Sequence, residues 1–471
     1  MNTCEATPSA AQEIRIQSLG TPEIDSPLSR NLATGGERRV VFTVDEELVD
    51  EGAAPRPMSF ELAGPRDRIY FDPSKTKCAI VTCGGLCPGI NDVIRAIVMT
   101  AYNAYRVPSV LGIRYGLQGI IPSYRYDVRE LAPRDVEGIH EFGGTILGTS
   151  RGPQSSSEIA TALERLNISA LFIIGGDGTM KAAASIQQEV ARRGKHISIV
   201  GIPKTIDNDL VLTDHTPGYG SAAKYVASTV REIAIDASVY DNKPSVTIVE
   251  IMGRHAGWLT AASVLARKFK GDNPVLIYLP EVAFSPDAFI EKVKEKLTKT
   301  SNLVVCISEG INDGNGTFVC ELASDVGTDT FGHKMLTGSG KYLENLVKEK
   351  LGIKVRSVEL NVCQRCSSSC LSATDLDEAA ASGRFAVSAA LDGETGKMIN
   401  FIRKSDDPYI LEFGTADVNE ICNKEKTVPE EWITKDGSDI GDEFIAYARP
   451  LIQGSVEVPM KDGLPYFAFR K

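Results

Sequence analysis

From Lys77 onward, short apolar runs rich in β-branched residues alternate with longer stretches of helical periodicity. Apolar runs without polar alternation are typical of parallel strands that are buried on both faces of a sheet. Their alternation with helices predicts a doubly wound α/β architecture. The predicted strands are Cys78–Thr82, Ser109–Ile113, Ala170–Ile174, Ile197–Ile202, Val246–Ile251, Pro274–Leu279, Leu303–Ser308 and Val355–Leu360.

The chain that precedes these strands has a different texture. Residues 1–75 carry scattered proline and serine, few apolar clusters and an acidic stretch, Asp45–Glu51. We interpret them as an extension that wraps the body of the protein or is partly disordered. The rest of the 471 residues is too long for a single sheet of this kind, so two α/β domains are predicted.

Charge and hydropathy exclude several classes of partner. The 51 lysines and arginines against 62 aspartates and glutamates give a net charge of −11, which argues against binding nucleic acid or an anionic membrane surface. No apolar run approaches the roughly 18 residues needed to span a bilayer. Residues 1–20 lack the apolar core of a secretion signal. We therefore expect a cytoplasmic protein without a membrane partner.

The ten cysteines are expected to be free thiols, because a chain of this length builds its core without disulfides. Cys363, Cys366 and Cys370 are spaced like metal ligands, but a zinc site would need a fourth ligand. Cys83 and Cys87 could supply it, yet both lie in a glycine-rich turn that has another explanation. A structural metal is therefore not predicted.

Glycine and polar clusters directly follow several predicted strands. In open parallel sheets, ligands bind beyond the carboxyl ends of the strands, and a backbone can approach a phosphate closely only where no Cβ intervenes. These clusters therefore mark candidate phosphate sites. They are Cys83–Gly85, Gly175–Gly178, Pro203–Thr205, Gly253–Arg254 and Glu309–Gly310.

Two of these clusters resemble phosphate or metal sites in their chemistry. Cys83–Asn91 leads into a helix predicted over Asp92–Tyr102, so its amides could cradle a polyphosphate; a tight strand–helix turn is the alternative. It fits neither the Walker A pattern nor the dinucleotide fingerprint. In Gly175–Thr179, Asp177 could hold Mg²⁺ while neighbouring amides bind phosphate oxygens; a β-turn with an aspartate cap is the alternative.

A third cluster, Pro203–Asp209, carries two carboxylates in a turn after a buried strand. Asp207 or Asp209 could remove a proton from a substrate hydroxyl while the other orients it or contacts a metal. A turn network of side-chain hydrogen bonds is the alternative. Arginines suit phosphate monoesters and a glutamate suits sugar hydroxyls, although each could equally form a surface ion pair. The candidates of this kind are Arg151, Arg254, Glu309 and Arg365.

Together, two phosphate-bearing ligands, one metal and one base are the parts required for phosphoryl transfer to an alcohol. With these motifs the sequence resembles the phosphofructokinase family over about residues 76–402. The order and spacing of the motifs match as well. The matching segments are Cys83–Asp92 (CGGLCPGIND), Gly148–Gly152 (GTSRG), Gly175–Thr179 (GGDGT), Pro203–Asp209 (PKTIDND), Met252–Trp258 (MGRHAGW), Pro280–Phe284 (PEVAF), Ser308–Gly310 (SEG) and the pair Gln364 and Arg365.

The resemblance implies a fold of two Rossmann-like domains with the active site in the cleft between them. Residues 76–218 with 364–401 would bind the phosphoryl donor, and residues 219–363 with 402–471 would bind fructose 6-phosphate. In the family, some phosphate ligands come from a neighbouring subunit, so a homodimer or homotetramer is expected. Two departures concern these ligands: Val362 replaces a usual His or Tyr, and Ser245 replaces the usual subunit-crossing arginine.

The resemblance also implies a role for each matching residue. Asp207 would be the base that accepts the proton of the 1-hydroxyl, with Thr205 and Asp209 assisting at the phosphoryl group, and Asp177 would position Mg²⁺. The donor would be held by Gly85, Arg151, Gly152, Gly176, Asp177, Gly178 and Thr179. The sugar phosphate would be held by Thr205, Ile206, Asp207, Met252, Gly253, Arg254, Glu309, Arg356 and Arg365.

Two positions bear on the identity of the donor. Members that use pyrophosphate resemble GGDDS with PKTIDND, and bacterial ATP-dependent members resemble GGDGS with PGTIDND; Gly178 and Lys204 take one feature from each. An aspartate at 178 would collide with and repel the α-phosphate of ATP, whereas Lys204 is a mobile charge that suits either donor. We favour ATP, since the same pair resembles the plant and trypanosomatid ATP-dependent enzymes.

Three alternatives stay open at the level of the sequence. The donor could be pyrophosphate with the same acceptor. The chain could be a non-catalytic regulatory subunit that binds sugar phosphate, although the retention of Asp177, Asp207 and Asp209 argues against this. A lipid or NAD kinase would rest on GGDGT alone and would leave PKTIDND and MGR unexplained.

Overall fold

The computed structural model describes residues 16, 18–28, 39–41, 59–61, 64–239, 243–322 and 338–467. Most of the predicted 1–75 extension therefore lies outside the described residues. Within its described part, Ile24–Asp25 pairs with Arg68–Ile69 and Arg39–Val41 pairs with Ser59–Glu61, both antiparallel. The amide of Leu19 donates to the Gly393 carbonyl at 2.8 Å, so this part of the extension packs on the body.

Strands and helices alternate along most of the body of the protein. The strands are β1 (Lys77–Thr82), β2 (Ser109–Ile113), β3 (Val128–Glu130), β4 (Ala170–Gly175), β5 (Ser198–Pro203), β6 (Ser245–Ile251), β7 (Leu276–Tyr278), β8 (Asn302–Ser308), β9 (Lys354–Glu359), β10 (Lys397–Asp406) and β11 (Tyr409–Asp417). The helices are α1 (Ile90–Met99), α2 (Ser156–Arg165), α3 (Asp177–Arg192), α4 (Tyr219–Ser238), α5 (Trp258–Ala261), α6 (Pro286–Leu297), α7 (Ser339–Leu351), α8 (Cys363–Cys366), α9 (Ala373–Leu391), α10 (Val418–Ile421) and α11 (Asp442–Ala448).

Two sheets organise these elements. The large sheet has the order β11-β10-β5-β4-β1-β2-β3, in which the five inner strands are parallel and both edge strands are antiparallel. The small sheet has the order β7-β8-β6-β9 and is parallel throughout. The prediction of two doubly wound α/β units is confirmed, and each of the eight predicted apolar runs forms a strand.

The antiparallel edges were not predicted, and they correct one domain boundary. The predicted change of domain between residues 401 and 402 falls within β10, which continues across the large sheet to Asp406. Because β10 and β11 form a hairpin, residues 402–417 lie in the large sheet and not with the small sheet, where the predicted boundary would place them. The helix predicted at Asp92–Tyr102 begins at Ile90 and ends at Met99, where a wider helical turn (Thr100–Ala104) follows.

The topology directs particular loops toward one place. The chain leaves β1 for one side of the large sheet at β2 and then crosses to the other side at β4, so the order reverses beside β1. A crevice forms at such a reversal beyond the carboxyl ends of the strands. The loops after β1, β4 and β5 meet there. No helix within the described ranges is both long and apolar enough to cross a membrane.

The start of α7 is tied to the small sheet by a buried carboxyl group. Glu250 on β6 accepts the amide of Gly340 at 2.6 Å and that of Gly338 at 3.4 Å. Burial raises the pKa of Glu250 to about 7. A carboxyl group whose pKa is higher in the folded chain stabilises the fold below its unfolded pKa, and this contribution is lost as the pH rises through the folded value.

We therefore expect Glu250→Gln to gain stability relative to the unsubstituted protein as the pH rises. The amide keeps an oxygen for the Gly340 N–H but carries no proton that titrates. The difference in Tm, variant minus unsubstituted, should increase by about 5 °C between about pH 5 and about pH 8. Thermal unfolding at the two pH values measures it, with the exposed Glu349→Gln as control. A difference that does not change with pH would contradict the assignment.

Candidate active site

The loops after β1, β4 and β5 line one open cleft together with the segment that precedes α2. This cleft collects most of the residues that the sequence marked as phosphate or metal ligands. Its lining comprises Cys83, Gly84, Gly85, Leu117, Ser150, Arg151, Gly152, Pro153, Gln154, Gly176, Asp177, Gly178, Thr179, Lys181, Ala182, Lys204, Thr205, Asp207 and Asp209.

In the loop after β1, two glycines lie next to positively charged side chains. A Cβ on Gly85 would lie 3.3 Å from a terminal nitrogen of Arg151 and 3.7 Å from the guanidinium carbon of Arg365. Gly84 has φ +84°, and a Cβ there would lie 3.4 Å from Lys204 Nζ. The Lys204 ammonium donates to the Gly85 carbonyl. Glycine at these positions therefore lets three cationic side chains gather around one loop, a suitable setting for phosphate.

The loop after β4 begins α3 and presents Asp177 at its first turn. One carboxylate oxygen of Asp177 accepts the amide of Asn423 at 2.7 Å. Gly178 is exposed, and a Cβ built on it would meet nothing within 4 Å. Thr179 is buried against Gly175, where a Cβ would clash with the threonine side chain at 2.2 Å. The helix N-terminus is thus open to the cleft at Gly178.

The loop after β5 carries the acidic pair. The Thr205 hydroxyl accepts the Asp207 amide at 3.1 Å and lies 3.4 Å from the Asp207 carboxylate. Burial raises the pKa of Asp207, opposed chiefly by the positive charge of Arg365. Burial, and after it the charge of Asp207, raise the pKa of Asp209 to about 7. A carboxylate with a raised pKa is a better proton acceptor near neutral pH.

The small sheet faces this loop with its own strand ends. The Gly253 amide donates to the Glu309 carboxylate at 3.4 Å, and the Ser308 hydroxyl donates to the Gly253 carbonyl. Burial raises the pKa of Glu309 to about 7, and the charge of Asp207 acts in the same direction. A Cβ on Gly310 would lie 1.8 Å from the Arg254 carbonyl oxygen, so only glycine lets the two loops meet. The effect of the Asp207 charge on Glu309 shows that the carboxyl ends of β6 and β8 lie near the loop after β5.

Three predicted substrate residues are placed differently from the rest. Arg356 lies near the start of β9, opposite Thr247, and pairs with Asp236; the structure does not bring it to the cleft within one chain. The side chain of Ile206 packs in the hydrophobic core. Met252 packs partly against the same core. Arg365, on the short helix α8, does reach the loop after β1.

The carboxylates fit a magnesium ion better than a closed metal site. Asp177 has one oxygen engaged by the Asn423 amide, and its charge acts on Asp209 across the cleft. Mg²⁺ prefers one or two carboxylates together with substrate phosphates and water. Among the residues that the structure describes, no three His, Cys, Asp or Glu side chains are grouped as they would be in a protein-only cage.

Two residues near the acidic loops carried no signal in the sequence. The amides of Asn423 and Lys426 donate to the Asp177 carboxylate and to the Asp209 carbonyl, both at 2.7 Å. They lie more than two hundred positions further along the chain, outside every recognised motif. Only the tertiary fold brings them to the cleft.

The sequence model of the family described as "Phosphofructokinase" matches residues 77–390, which include all three sheet-end loops of the cleft. This chain belongs to the phosphofructokinase family. It is therefore a member of a family of phosphotransferase enzymes, and the resemblance read from the motifs is confirmed. The interpretation as a lipid or NAD kinase is not supported.

Relatives in the phosphofructokinase family are named for different donors. A pyrophosphate–fructose 6-phosphate 1-phosphotransferase of Rhodospirillum rubrum is 34% identical over 386 residues, which are 80% of this chain and 94% of the relative. An ATP-dependent 6-phosphofructokinase of Trypanosoma cruzi is 38% identical over 296 residues, 62% of this chain and 58% of the relative. The crystal structure of a pyrophosphate-dependent phosphofructokinase from Marinobacter aquaeolei matches with a TM-score of 0.75 at 30% identity, covering 84% of this chain and 96% of that chain.

Proposed function

We propose that the chain is a Mg²⁺-dependent 6-phosphofructokinase that transfers the γ-phosphoryl group of ATP to the 1-hydroxyl of fructose 6-phosphate. The observation that carries the choice of donor is the open space at Gly178. Because Gly178 is exposed and a Cβ there would meet nothing within 4 Å, the start of α3 places no side chain in the space that the α-phosphate of ATP would need. An aspartate at this position would place bulk and negative charge in that space.

In this proposal the donor lies in the cleft of the large sheet. Arg151 binds its phosphates through its positive charge, and the backbone N–H groups of the glycine loops bind them through hydrogen bonds. Asp177 and the neighbouring acidic loop hold Mg²⁺. When bound, the ion neutralises charge on the transferring phosphoryl group. The residues assigned to the donor are Gly85, Arg151, Gly152, Gly176, Asp177, Gly178 and Thr179.

The acceptor lies between the loop after β5 and the small sheet. Asp207 accepts the proton of the sugar 1-hydroxyl while the oxygen of that hydroxyl attacks the γ-phosphorus. The bond between the γ-phosphorus and the bridging oxygen breaks, and ADP leaves with its electrons. Met252, Gly253, Arg254 and Glu309 hold the sugar.

The residues assigned to the 6-phosphate imply that the active form is an oligomer. Arg365 reaches the loop after β1 in its own chain, whereas Arg356 lies in the first half of β9, opposite Thr247, and pairs with Asp236. Arg356 could act on the 6-phosphate only from a neighbouring subunit, as the family resemblance implies. A homodimer or homotetramer belongs to the proposal for this reason.

Pyrophosphate is the second candidate donor, and Lys204 is the observation that favours it. Its ammonium is buried and fixed on the Gly85 carbonyl, in the loop that faces the donor cleft, so the expectation of a mobile charge at this position is wrong. In the family resemblance, lysine at this position accompanies pyrophosphate use. Several relatives with high coverage are also named for that donor.

A donor assay on the purified protein tests the proposal. Fructose 1,6-bisphosphate formation is measured with fructose 6-phosphate, Mg²⁺ and either ATP or pyrophosphate, and again with a chelator in place of Mg²⁺. We expect turnover with ATP that is lost with the chelator. Turnover with pyrophosphate alone would replace ATP by the second candidate, and binding of the sugar phosphate without turnover would indicate a regulatory subunit.

A further inference from the structure

A segment near the C-terminus crosses the rim of the cleft and contacts two of its acidic loops. We call residues 423–428 the strap. The backbone N–H of its first residue, Asn423, donates to the Asp177 carboxylate at 2.7 Å. The side-chain oxygen of Asn423 accepts a hydrogen bond from the Lys181 ammonium at 3.2 Å. Three positions later, the Lys426 amide donates to the Asp209 carbonyl at 2.7 Å. The strap therefore spans the loops after β4 and β5.

The side chain of Lys426 makes the densest set of contacts in the strap. Its Nζ lies 3.1 Å from Asn208 Oδ1, 3.2 Å from the Thr213 carbonyl oxygen and 2.7 Å from the Asp214 carbonyl oxygen. It also lies 5.0 Å from the centre of the Trp258 ring. Three oxygen acceptors match the three N–H donors of an ammonium group, and the indole face is attractive to a cation.

The contact with Asn208 acts at the residue between the two acidic side chains. Asn208 is fully buried and has φ +54°, a left-handed conformation that asparagine adopts more readily than most residues other than glycine. Its side-chain oxygen accepts from Lys426, and its side-chain nitrogen donates to the Tyr447 hydroxyl at 2.9 Å. Both ends of the amide are thus held, and the turn that separates Asp207 from Asp209 is held with it.

The strap is also attached to the other half of the cleft. The Trp258 indole N–H donates to the Lys426 carbonyl at 2.8 Å. The Glu281 carboxylate accepts both the Val428 amide at 2.9 Å and the Gly257 amide at 2.8 Å. Gly257 and Trp258 end the segment that begins with the proposed sugar ligands Met252–Arg254. One segment therefore links the acidic loops to the sugar-binding loop.

We propose that Lys426 is a positioning residue for phosphoryl transfer, whose ammonium fixes the Asn208 turn and thereby the carboxylate of Asp207 relative to the acceptor hydroxyl. The inference rests on the proposed function, because it assigns Lys426 to the site where Asp207 acts. The partners of the Lys426 ammonium are protein oxygens, so it acts through Asn208 and the carbonyls of Thr213 and Asp214.

The chemistry of the side chain explains why lysine is suited to this place. Burial lowers the pKa of Lys426 to about 7; the ammonium carries three N–H donors for the three oxygens around it, and the neutral amine carries two. An apolar side chain of the same length would leave the Asn208 and carbonyl oxygens without a donor. The turn would then sample other conformations, and a misplacement of about 1 Å can cost roughly 10²-fold in rate.

The test compares Lys426→Met with Lys424→Met in the full-length protein. Lys424 lies two positions away on the surface, where it pairs with Glu420 at 2.9 Å, so it controls for loss of a lysine from the same segment. We expect Lys426→Met to lower kcat about 10- to 100-fold at saturating substrates, with the KM for the donor changed less than about threefold. The control should keep the kcat of the unsubstituted protein.

A purely structural role would give a different result, namely a lower Tm with an unchanged kcat per folded enzyme. That result would overturn the proposal. If Lys426→Met does not fold, Tyr447→Phe decides, because it removes the other anchor of Asn208 while keeping the ring. A severalfold fall in kcat with an unchanged KM supports the proposal, and an unchanged kcat overturns it. If the unsubstituted protein turns over fructose 6-phosphate with neither donor, the proposed function itself has failed.

Discussion

Replacing Asp207 with asparagine is expected to lower kcat by roughly 10²- to 10⁴-fold, the range typical for loss of a general base. The amide has nearly the same shape as the carboxylate, so the Thr205 contacts and the binding of both substrates should survive. It cannot accept a proton from the 1-hydroxyl. Burial raises the pKa of Asp207, which makes the native carboxylate a stronger base than an exposed aspartate. Initial rates at saturating fructose 6-phosphate and donor measure the effect.

The control for this experiment is Asp287→Asn, at an exposed aspartate in the first turn of α6. It removes the same charge from the protein at a place remote from the cleft, and its kcat should stay at the unsubstituted value. The KM values matter as well, because a base acts in the transition state and contributes little to ground-state binding. An Asp207→Asn enzyme with full kcat would show that the proton leaves by another route.

The sequence predicted four of the five inner strands of the large sheet, and the buried strands of the small sheet, because their burial is recorded locally. β4 and β8 are buried along their whole length, and a strand covered on both faces is apolar at most of its positions. The first five residues of β11 alternate between half-buried and exposed, and the strand lacks a long apolar run. β3 is short and mostly exposed. The edge strands β3 and β11 of the large sheet were missed for this reason, and β10, which forms a hairpin with β11, was missed with them.

The residues of the candidate site also fall into those that the sequence could predict and those that it could not. The ligands in the loops after β1, β4 and β5 follow directly from the strands that carry them, so their motifs could be located before the fold was known. Lys426 and Asn423 reach the same loops from a distant part of the chain, and nothing in their neighbours indicates it. The net charge of −11 also gave no indication that the site is locally positive. Three cationic side chains, Arg151, Lys204 and Arg365, lie around the loop of Gly84 and Gly85.

Gly178→Asp is the substitution with the largest expected effect on the choice of donor. Two like unit charges about 4 Å apart repel by about 4 kcal/mol at an effective dielectric constant of about 20. Since Gly178 is exposed, solvent screening would leave about half of this, which corresponds to about a 30-fold loss in kcat/KM for ATP. The kcat/KM for pyrophosphate should fall less, because pyrophosphate has no α-phosphate. Steady-state rates with each donor measure both values.

Two further variants at Gly178 separate bulk from charge. Gly178→Ala adds a Cβ that meets nothing within 4 Å, and alanine is the better helix former, so its use of ATP should be unchanged. Gly178→Asn adds the size of aspartate without its charge, so its kcat/KM for ATP should lie between those of Gly178→Ala and Gly178→Asp. Aspartate is favourable in the first turn of a helix, so a fall in ATP use cannot be ascribed to unfolding of α3. If Gly178→Asp and Gly178→Ala use ATP equally well, the open space at the start of α3 does not determine the donor, even in an enzyme that uses ATP.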